Sequence, residues 1–222
     1  MFFIIACDSI NQTNNEADAI PNNSYRNYRD LMPLNRNNYW TYSDDSNYTY
    51  TLKLIDSKLI KVFNHFPPET GPCLDTLEVF YSSNFNQGGY ARTDSGVVTV
   101  LSAFFFSQDI AQADSASIYG YLIPNNPRNQ LYTYFYPNNS YKKVERYITF
   151  VSSIKTPITE YKDIWEIRTD YFKDLTLNES VKIYEYYKQG IGLVKSFTVN
   201  VKYPDETFDT TNVHYLKDYK LY

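Results

Sequence analysis

The sequence predicts a mainly β protein built on a large curved antiparallel sheet, either a partial barrel or a sandwich, with at most one short helix. Three observations support this prediction. Apolar and polar residues alternate with a period of two from Leu31 onward, turn-forming residues separate the alternating runs, and 24 of the 222 residues are tyrosines. Tyrosine suits half-buried strands because its ring packs inside while its hydroxyl reaches water.

The alternation is clearest in three segments. YTYTLKL at residues 48–54, WEIRT at residues 165–169 and FTVNVKY at residues 197–203 each place apolar side chains on one face, as antiparallel strands with one solvated face do. VVTVLSAFFF at residues 97–106 is apolar almost throughout, which predicts a central strand covered on both faces. Its β-branched start and its lack of helix caps argue against a helix there.

Turn signals divide the chain into about ten or eleven strands. These signals share Gly, Pro, Asn, Asp or Ser residues and lie at Asp56-Ser57, Pro67-Pro68, Gly88-Gly89, residues 94–96, residues 124–127, residues 137–139 and Pro204-Asp205. Ser107 to Ser117, SQDIAQADSAS, is the one helix candidate. The regular spacing favours one large sheet that curls or folds over on itself.

Two glycines in the segment YYKQGIGLVKSF, residues 186–197, have two competing interpretations. A phosphate-binding loop needs a strand before the glycines and a helix N-terminus after them. Residues 193–201, LVKSFTVNV, instead have the pattern of a second strand. We therefore predict a β-hairpin in which Gly190 supplies a positive φ and Gly192 lets the strand bend or bulge.

The first residues, MFFIIACD, predict a lipid anchor. Ile4 to Cys7 match the bacterial lipobox, in which an aliphatic, a variable and a small residue precede the cysteine that receives diacylglycerol. Residues 1–7 then form a truncated lipoprotein signal, because a full signal has a basic start and roughly 7–15 apolar residues. The alternative is an ordinary N-terminal strand with a buried Cys7.

The region after the lipobox predicts the rest of the domain organisation. Residues 8–30 are polar and rich in asparagine, which is typical of a flexible tether, and residues 31–222 form a single β-rich domain. The predicted location is the cell envelope, on the outer membrane or cell surface, with the membrane as a partner through the anchor. The net charge of −4 argues against nucleic acid.

No pattern in the sequence predicts catalysis, a metal or a cofactor. His65 and His214 are isolated and lack a nucleophile motif, and a disulfide between Cys7 and Cys73 would compete with lipidation of Cys7. The oxygen-rich segments Asp44-Asp45 and Asp205–Asp209 are interpreted as solvated turns rather than calcium sites. Six carboxylates lie in or near predicted strands, and the sequence favours no pair of them as a glycosidase site: Glu145, Glu160, Asp163, Glu166, Asp170 and Glu185.

The best candidate binding surface in the sequence is a run of alternating tyrosines. Tyr132, Tyr134 and Tyr136 occur in LYTYFYP, with Phe135 on the other face of the same strand. If the Phe135 side faces the core, the three tyrosines line an outer surface that can stack on a ligand. The alternative is that both faces of this strand are covered.

Three segments resemble lipoproteins of unknown function from Bacteroidota-type bacteria. They are YYKQGIGLVK at residues 186–195, MPLNRNNYWTY at residues 32–42, where Asn37 replaces the usual glycine, and TPITEYKD at residues 156–163, where Ile-Thr-Glu replaces Ala-Gly-Thr. Residues 64–140 match no motif of that family. The resemblance implies a lipid-anchored β-rich domain outside the cytoplasm and no catalytic residues, with Trp40 and Tyr42 as core aromatics and Gly190 and Gly192 as turn residues.

These observations together predict a lipid-anchored, non-enzymatic module that binds a partner or scaffolds an assembly. A glycan, a lipid or another envelope protein is the expected ligand. One alternative is a carrier that holds a lipid or other apolar ligand in a half-open barrel. Another is a glycan-acting hydrolase, which would require two clustered carboxyl groups with raised pKa values in a cleft.

Overall fold

The computed structural model describes ten stretches of the chain: residues 30–63, 74–82, 88–93, 96–102, 115–118, 123–124, 127–135, 143–173, 179–202 and 207–222. They contain thirteen strands, which are β1 (Tyr39–Asp44), β2 (Thr49–Phe63), β3 (Leu74–Ser82), β4 (Gly88–Thr93), β5 (Gly96–Ser102), β6 (Ser115–Ile118), β7 (Ile123–Pro124), β8 (Gln130–Phe135), β9 (Lys143–Lys155), β10 (Glu160–Phe172), β11 (Glu179–Lys188), β12 (Gly192–Lys202) and β13 (Thr207–Lys220). The described residues contain no helix.

One large sheet connects the strands, which confirms the predicted fold class. Its hydrogen-bonded order is β3-β4-β5-β6-β2-β1-β13-β12-β11-β10-β9-β8, and β7 pairs with β5. Strand β3 also pairs with β2, so one end of the path folds back on the sheet. The sheet is not closed into a barrel.

The C-terminal half is the more regular part of this sheet. Strands β8 to β13 follow one another both in the chain and in space, and each neighbouring pair is antiparallel. Strand β1 then lies between β13 and β2 and is antiparallel to both. The first and last strands of the domain are therefore held together directly.

Two sequence expectations differ from the structure in the N-terminal half. Residues 115–118 form strand β6, so the C-terminal end of the helix candidate is a strand, while residues 107–114 lie outside the described residues. Strand β6 pairs with β2 in parallel, which is the exception to the antiparallel pattern. Tertiary pairing outweighs the weak helix propensity of such a short, serine-rich segment.

One core cluster joins the N-terminal and the C-terminal strands. Its fully buried members include Leu34, Trp40, Leu54, Ile148, Ile164, Ile167, Val194 and Leu216. Phe80, Val97 and Ile123 bring β3, β5 and β7 into the same cluster. Burial of this apolar surface is the main favourable contribution to folding.

The glycine hairpin packs directly on the opening strand of the domain. Gly190 and Gly192 have φ values of 74° and 109° between β11 and β12, and a Cβ on Gly192 would lie 3.1 Å from the Trp40 indole nitrogen. That nitrogen donates a hydrogen bond of 2.5 Å to the Ile191 carbonyl oxygen. The Gly190 backbone N–H donates to the Asp30 carbonyl oxygen at 2.9 Å, so the two segments meet in space and fix the start of the described chain.

Candidate ligand-binding face

The two faces of the sheet at β9 to β12 carry different side chains. Cross-strand pairing aligns Glu185 with Ile167 and Ile167 with Ile148, and both isoleucines are buried in the core. Because successive residues of a strand point to opposite faces, Tyr184 and Tyr186 lie on the face away from that core row. We call these two sides the inner face and the outer face.

A cluster of aromatic rings lies on the outer face. The Tyr184 and Phe197 rings stack with centroids 4.7 Å apart and planes 13° apart, and Tyr186 stacks on Phe197 at 6.1 Å and 26°. All three side chains are partly exposed. We define the outer aromatic face as these three residues together with Tyr147, Arg168, Lys195 and Tyr215.

Two cations complete the outer aromatic face. The Arg168 guanidinium lies 4.0 Å from the centroid of the Tyr147 ring. The Lys195 Nζ lies 5.9, 5.3 and 5.6 Å from the ring centroids of Tyr186, Phe197 and Tyr215. Cations at these distances are attracted by the negative faces of aromatic rings, so the cluster is both apolar and positively charged.

The tyrosine hydroxyl groups on this face lie beside carboxylates. Burial is the main cause that raises the pKa of Tyr186, and a hydrogen bond to Glu166 adds to it. Burial also raises the pKa of Tyr215, to which Asp45 contributes. Both hydroxyl groups therefore stay protonated at neutral pH and have partners that hold the rings in place.

An ion-pair network borders the aromatic rings on the same face. Lys143 pairs with Glu145 at 2.6 Å, while Arg168 and Lys182 pair with Asp170 at 3.1 and 3.7 Å. Burial raises the pKa of Asp170 despite both cations. Burial also acts to raise the pKa of Glu145, but the hydrogen bonds from Lys143 and Tyr147 outweigh it and lower that pKa.

The carboxylates of this network can be compared with what a glycan hydrolase requires, which is a clustered pair of carboxyl groups with raised pKa values. Glu145 and Asp170 lie directly opposite each other on β9 and β10, which brings two carboxyl groups into the range such enzymes use. Only Asp170 has a raised pKa, and cations bind both carboxylates. The geometry therefore suits a network that holds Arg168 in place better than a general acid and its partner carboxylate.

A separate polar cluster lies on the inner face. The Tyr187 hydroxyl donates a hydrogen bond of 3.1 Å to Glu185, and burial raises the pKa of Glu185 while the positive charge of Arg146 opposes this. Arg146 is 3% exposed. Arg146 and Tyr187 are buried and Glu185 is partly buried, so these groups contribute to how the core packs.

His214 also lies on the inner face and is partly buried. Its ring makes an edge contact with Tyr50 at 5.4 Å, and its Nδ1 has no hydrogen-bond partner among the described residues. In the strand register His214 pairs with Ser196 on β12 and with Asp44 on β1. Asp44 accepts hydrogen bonds from Ser46 and from the Tyr48 backbone, so its carboxylate is engaged in a turn.

The other site residues predicted from the sequence have different positions. Tyr132 and Tyr134 lie on β8, where their backbones pair with Arg146 and Val144. Their side chains, together with Tyr136, Cys7, Cys73 and His65, lie outside the described residues, so the tyrosine surface and the lipidation site remain predictions. Trp40 and Tyr42 are 0% and 3% exposed and belong to the core cluster.

The outer aromatic face was not among the predicted sites, although the sequence contains a signal for it. In VKIYEYY, Tyr184 and Tyr186 alternate with Ile183 and Glu185, which already places two aromatic rings on one face of a strand. Lys195 and Phe197 alternate in the same way after the glycine turn. A hairpin joins these two strands, so the two alternating pairs become neighbours.

Comparison with known proteins gives two remote structural similarities. No protein-family model matches the chain, and no curated protein matches it. A crystal structure of a "putative lipoprotein" from Parabacteroides distasonis is 12% identical, with a TM-score of 0.34, and covers 86% of this chain and 98% of that one. A "putative exported protein with YmcC-like fold" from Bacteroides fragilis is 13% identical, with a TM-score of 0.33 and the same two coverages. TM-scores this low do not establish a common fold, and the function has to be argued from the residues of this chain.

Two features are absent from the described residues. Within residues 30–222, apart from the gaps given above, no helix is long and apolar enough to cross a membrane. The same residues contain no group of three or more His, Cys, Asp or Glu side chains placed to hold a metal ion.

Proposed function

We propose that this protein is a lipid-anchored envelope module that binds a glycan on its outer aromatic face and catalyses no reaction. The observation that carries the proposal is the stack of Tyr184, Phe197 and Tyr186 on the side of the sheet away from the core. These rings remain partly exposed. Exposed aromatic clusters of this kind usually mark an interaction site.

The chemistry of these side chains fits a sugar ring. A pyranose has an apolar C–H face, which can pack on a flat aromatic ring, and hydroxyl groups at its edge. Tyrosine offers the matching combination of an apolar ring and a polar hydroxyl, and the neighbouring Glu166 and Arg168 supply an acceptor and a donor. The rings lie on paired strands rather than loops, so little conformational entropy is lost when a ligand binds.

The structure favours this binding function over an apolar-ligand carrier. A carrier needs a hollow on the inner face of the curved sheet. The described inner-face residues, including Ile148, Ile167, Tyr187 and Leu216, pack against one another in a single core cluster. The ligand surface supported by the described residues therefore lies on the outer face.

A binding experiment tests the glycan part of the proposal. We suggest titrating a panel of neutral and acidic oligosaccharides into the full-length protein carrying Cys7→Ala, with calorimetric detection. Phe197→Ala and Tyr184→Ala should each weaken binding about tenfold or more, because a buried aromatic contact contributes on the order of 1–3 kcal/mol. Tyr48→Ala is the control, since Tyr48 is 66% exposed and precedes β2, which β1 and β13 separate from β12. Absence of binding to every sugar in the panel would refute the proposal.

Membrane fractionation tests the anchor separately. The sequence IIAC at residues 4–7 and the polar segment that follows it support the proposal of lipidation at Cys7. The wild-type protein, expressed with its complete upstream start in a Gram-negative host, should sediment with membranes, and the Cys7→Ala variant should not. If both forms stay soluble, Cys7 is an ordinary thiol and the anchor is excluded.

A further inference from the structure

We infer that the glycan bound by the outer aromatic face carries an acidic group and that Lys195 recognises it. This inference rests on the proposed function, because it assigns a ligand class to the same face. It depends on the charges that surround the stacked rings. Most of those charges already have partners within the protein.

The carboxylates beside these rings have partners within the protein, and Asp45 is hydrogen-bonded to the Tyr215 hydroxyl. Glu145 pairs with Lys143, and Asp170 pairs with both Arg168 and Lys182. Glu166 accepts the hydrogen bond from the Tyr186 hydroxyl that helps to raise the pKa of that tyrosine. These ion pairs also occupy three of the four cations near the rings, namely Lys143, Arg168 and Lys182.

Lys195 differs from the other three cations near the rings in its contacts. Its Nζ forms no ion pair with any carboxylate among the described residues, and its neighbours are the rings of Tyr186, Phe197 and Tyr215. The side chain is partly exposed. A lysine ammonium group has three hydrogen-bond donors, which suits it to an anion arriving from solution.

The strand geometry places this charge beside the stacking surface. Lys195 lies two residues before Phe197 on β12, so both side chains project from the same face. The Lys195 Nζ lies 5.3 Å from the Phe197 ring centroid. A sugar that packs against this cluster of rings would therefore have a substituent within reach of the ammonium group.

The ligand class is thus a sugar that bears an anionic group, either a carboxylate or a sulfate. A hydrogen bond between charged partners is shorter and stronger than a neutral one. The surrounding rings exclude part of the water and so reduce screening of the pair. We expect the acidic sugar to bind about tenfold more tightly than its neutral counterpart.

Matched ligands test the inference. We suggest measuring the binding of two ligand pairs. The first pair is an oligogalacturonate and the same oligomer with its carboxylates methyl-esterified. The second pair is a sulfated galactan oligomer and its desulfated form. The proteins are wild type, Lys195→Gln, Phe197→Ala and the control Lys53→Gln, all with Cys7→Ala. Lys53 is exposed on β2 and lies away from the rings.

The possible outcomes distinguish a failure of the acidic-ligand inference from a failure of the proposed glycan binding. In the expected result wild type and Lys53→Gln prefer the acidic member of at least one pair. Lys195→Gln loses this preference but still binds the neutral member. Phe197→Ala binds both members of the pair more weakly than wild type does. The inference is overturned, while glycan binding stands, if wild type binds the two members of each pair equally or if Lys195→Gln keeps the preference. If wild type binds none of these oligomers and no sugar of the wider panel, both the inference and the proposed function are wrong.

Discussion

The inner and outer faces of strands β9 to β12 are made by the same stretches of sequence but have opposite properties. The inner face carries Ile148, Ile167 and Val194, which are 1%, 0% and 0% exposed and belong to the core. The outer face carries stacked rings that stay partly exposed and cations that lie over them. The inner face supplies core packing, and the outer face carries the proposed binding site.

Polar groups reinforce this difference between the faces. On the inner face Glu185, Arg146 and Tyr187 are enclosed and linked to one another, so loss of any one leaves a buried partner unsatisfied. On the outer face the cations of the ion pairs keep contact with solvent, although Asp170, the partner of Arg168 and Lys182, is buried. Substitutions should therefore affect stability on the inner face and ligand binding on the outer face.

The largest expected effect comes from Trp40. Trp40→Ala removes a fully buried indole, its hydrogen bond to Ile191 and its contact with the glycine hairpin. We expect the free energy of unfolding to fall by about 3–5 kcal/mol, and the outer-face variant Phe197→Ala to lower it by only about 1 kcal/mol. Urea unfolding followed by circular dichroism measures both. Equal losses for the two variants would contradict the division between the faces.

The next largest effect should come from the inner polar cluster. Arg146→Met leaves the Glu185 carboxylate in the interior without its opposing positive charge, which costs about 3 kcal/mol. The double variant Arg146→Met/Glu185→Leu removes the uncompensated charge and should recover most of that loss. A double-variant cycle in urea measures the coupling between the two residues. Additive effects would show that Arg146 and Glu185 act independently.

The regular part of the fold could be predicted from the sequence because its signals are local. Alternation at residues 165–169 falls in β10, and alternation at residues 197–202 falls in β12. The two glycines lie where β11 turns into β12, as the hairpin interpretation requires. The parallel pairing of β2 with β6 could not be predicted, because it joins residues that are distant in the chain and no local pattern encodes it.

The outer aromatic face was harder to predict for a different physical reason. Tyrosines occupy both faces of β11: Tyr184 and Tyr186 lie on the outer face, and Tyr187 is buried in the core. The register with β12 shifts between Tyr186 and Tyr187, so consecutive tyrosines have different environments. Alternation alone shows which residues share a face, but the core packing decides which face is exposed.

Gly192 should have an intermediate effect on stability. Gly192→Ala introduces a side chain at a φ of 109° and brings its Cβ to within 3.1 Å of the Trp40 indole and 3.2 Å of the Met32 sulfur. We expect a loss of about 1–3 kcal/mol, because both the backbone and the neighbouring core are strained. Thermal unfolding of the variant measures this loss.

Gly190 provides the matched control within the same turn. Its φ of 74° is a left-handed value that Asn37, Asn47 and Asn212 also adopt in this protein. Gly190→Asn should therefore change stability by less than about 1 kcal/mol. If Gly190→Asn is as destabilising as Gly192→Ala, positive φ alone explains the glycines and the close approach of Trp40 contributes nothing.

The smallest expected effect is a pH dependence at Asp170, where the outer face is most buried. Burial raises the pKa of this carboxyl in the folded protein above its ordinary value of 3.8. Between pH 3.8 and the raised pKa, the Asp170 carboxyl is therefore more protonated in the folded protein than in the unfolded chain. Because the folded state binds more protons, the contribution of this residue to the free energy of unfolding falls as the pH rises through this interval. Above the raised pKa the contribution becomes constant.

The variant Asp170→Asn removes this titration. The free energy of unfolding of wild type minus that of the variant should therefore fall across this interval and then level off. Parallel stability profiles for wild type and Asp170→Asn, measured by urea unfolding at successive pH values, would show that the two cations compensate fully for burial of the carboxylate.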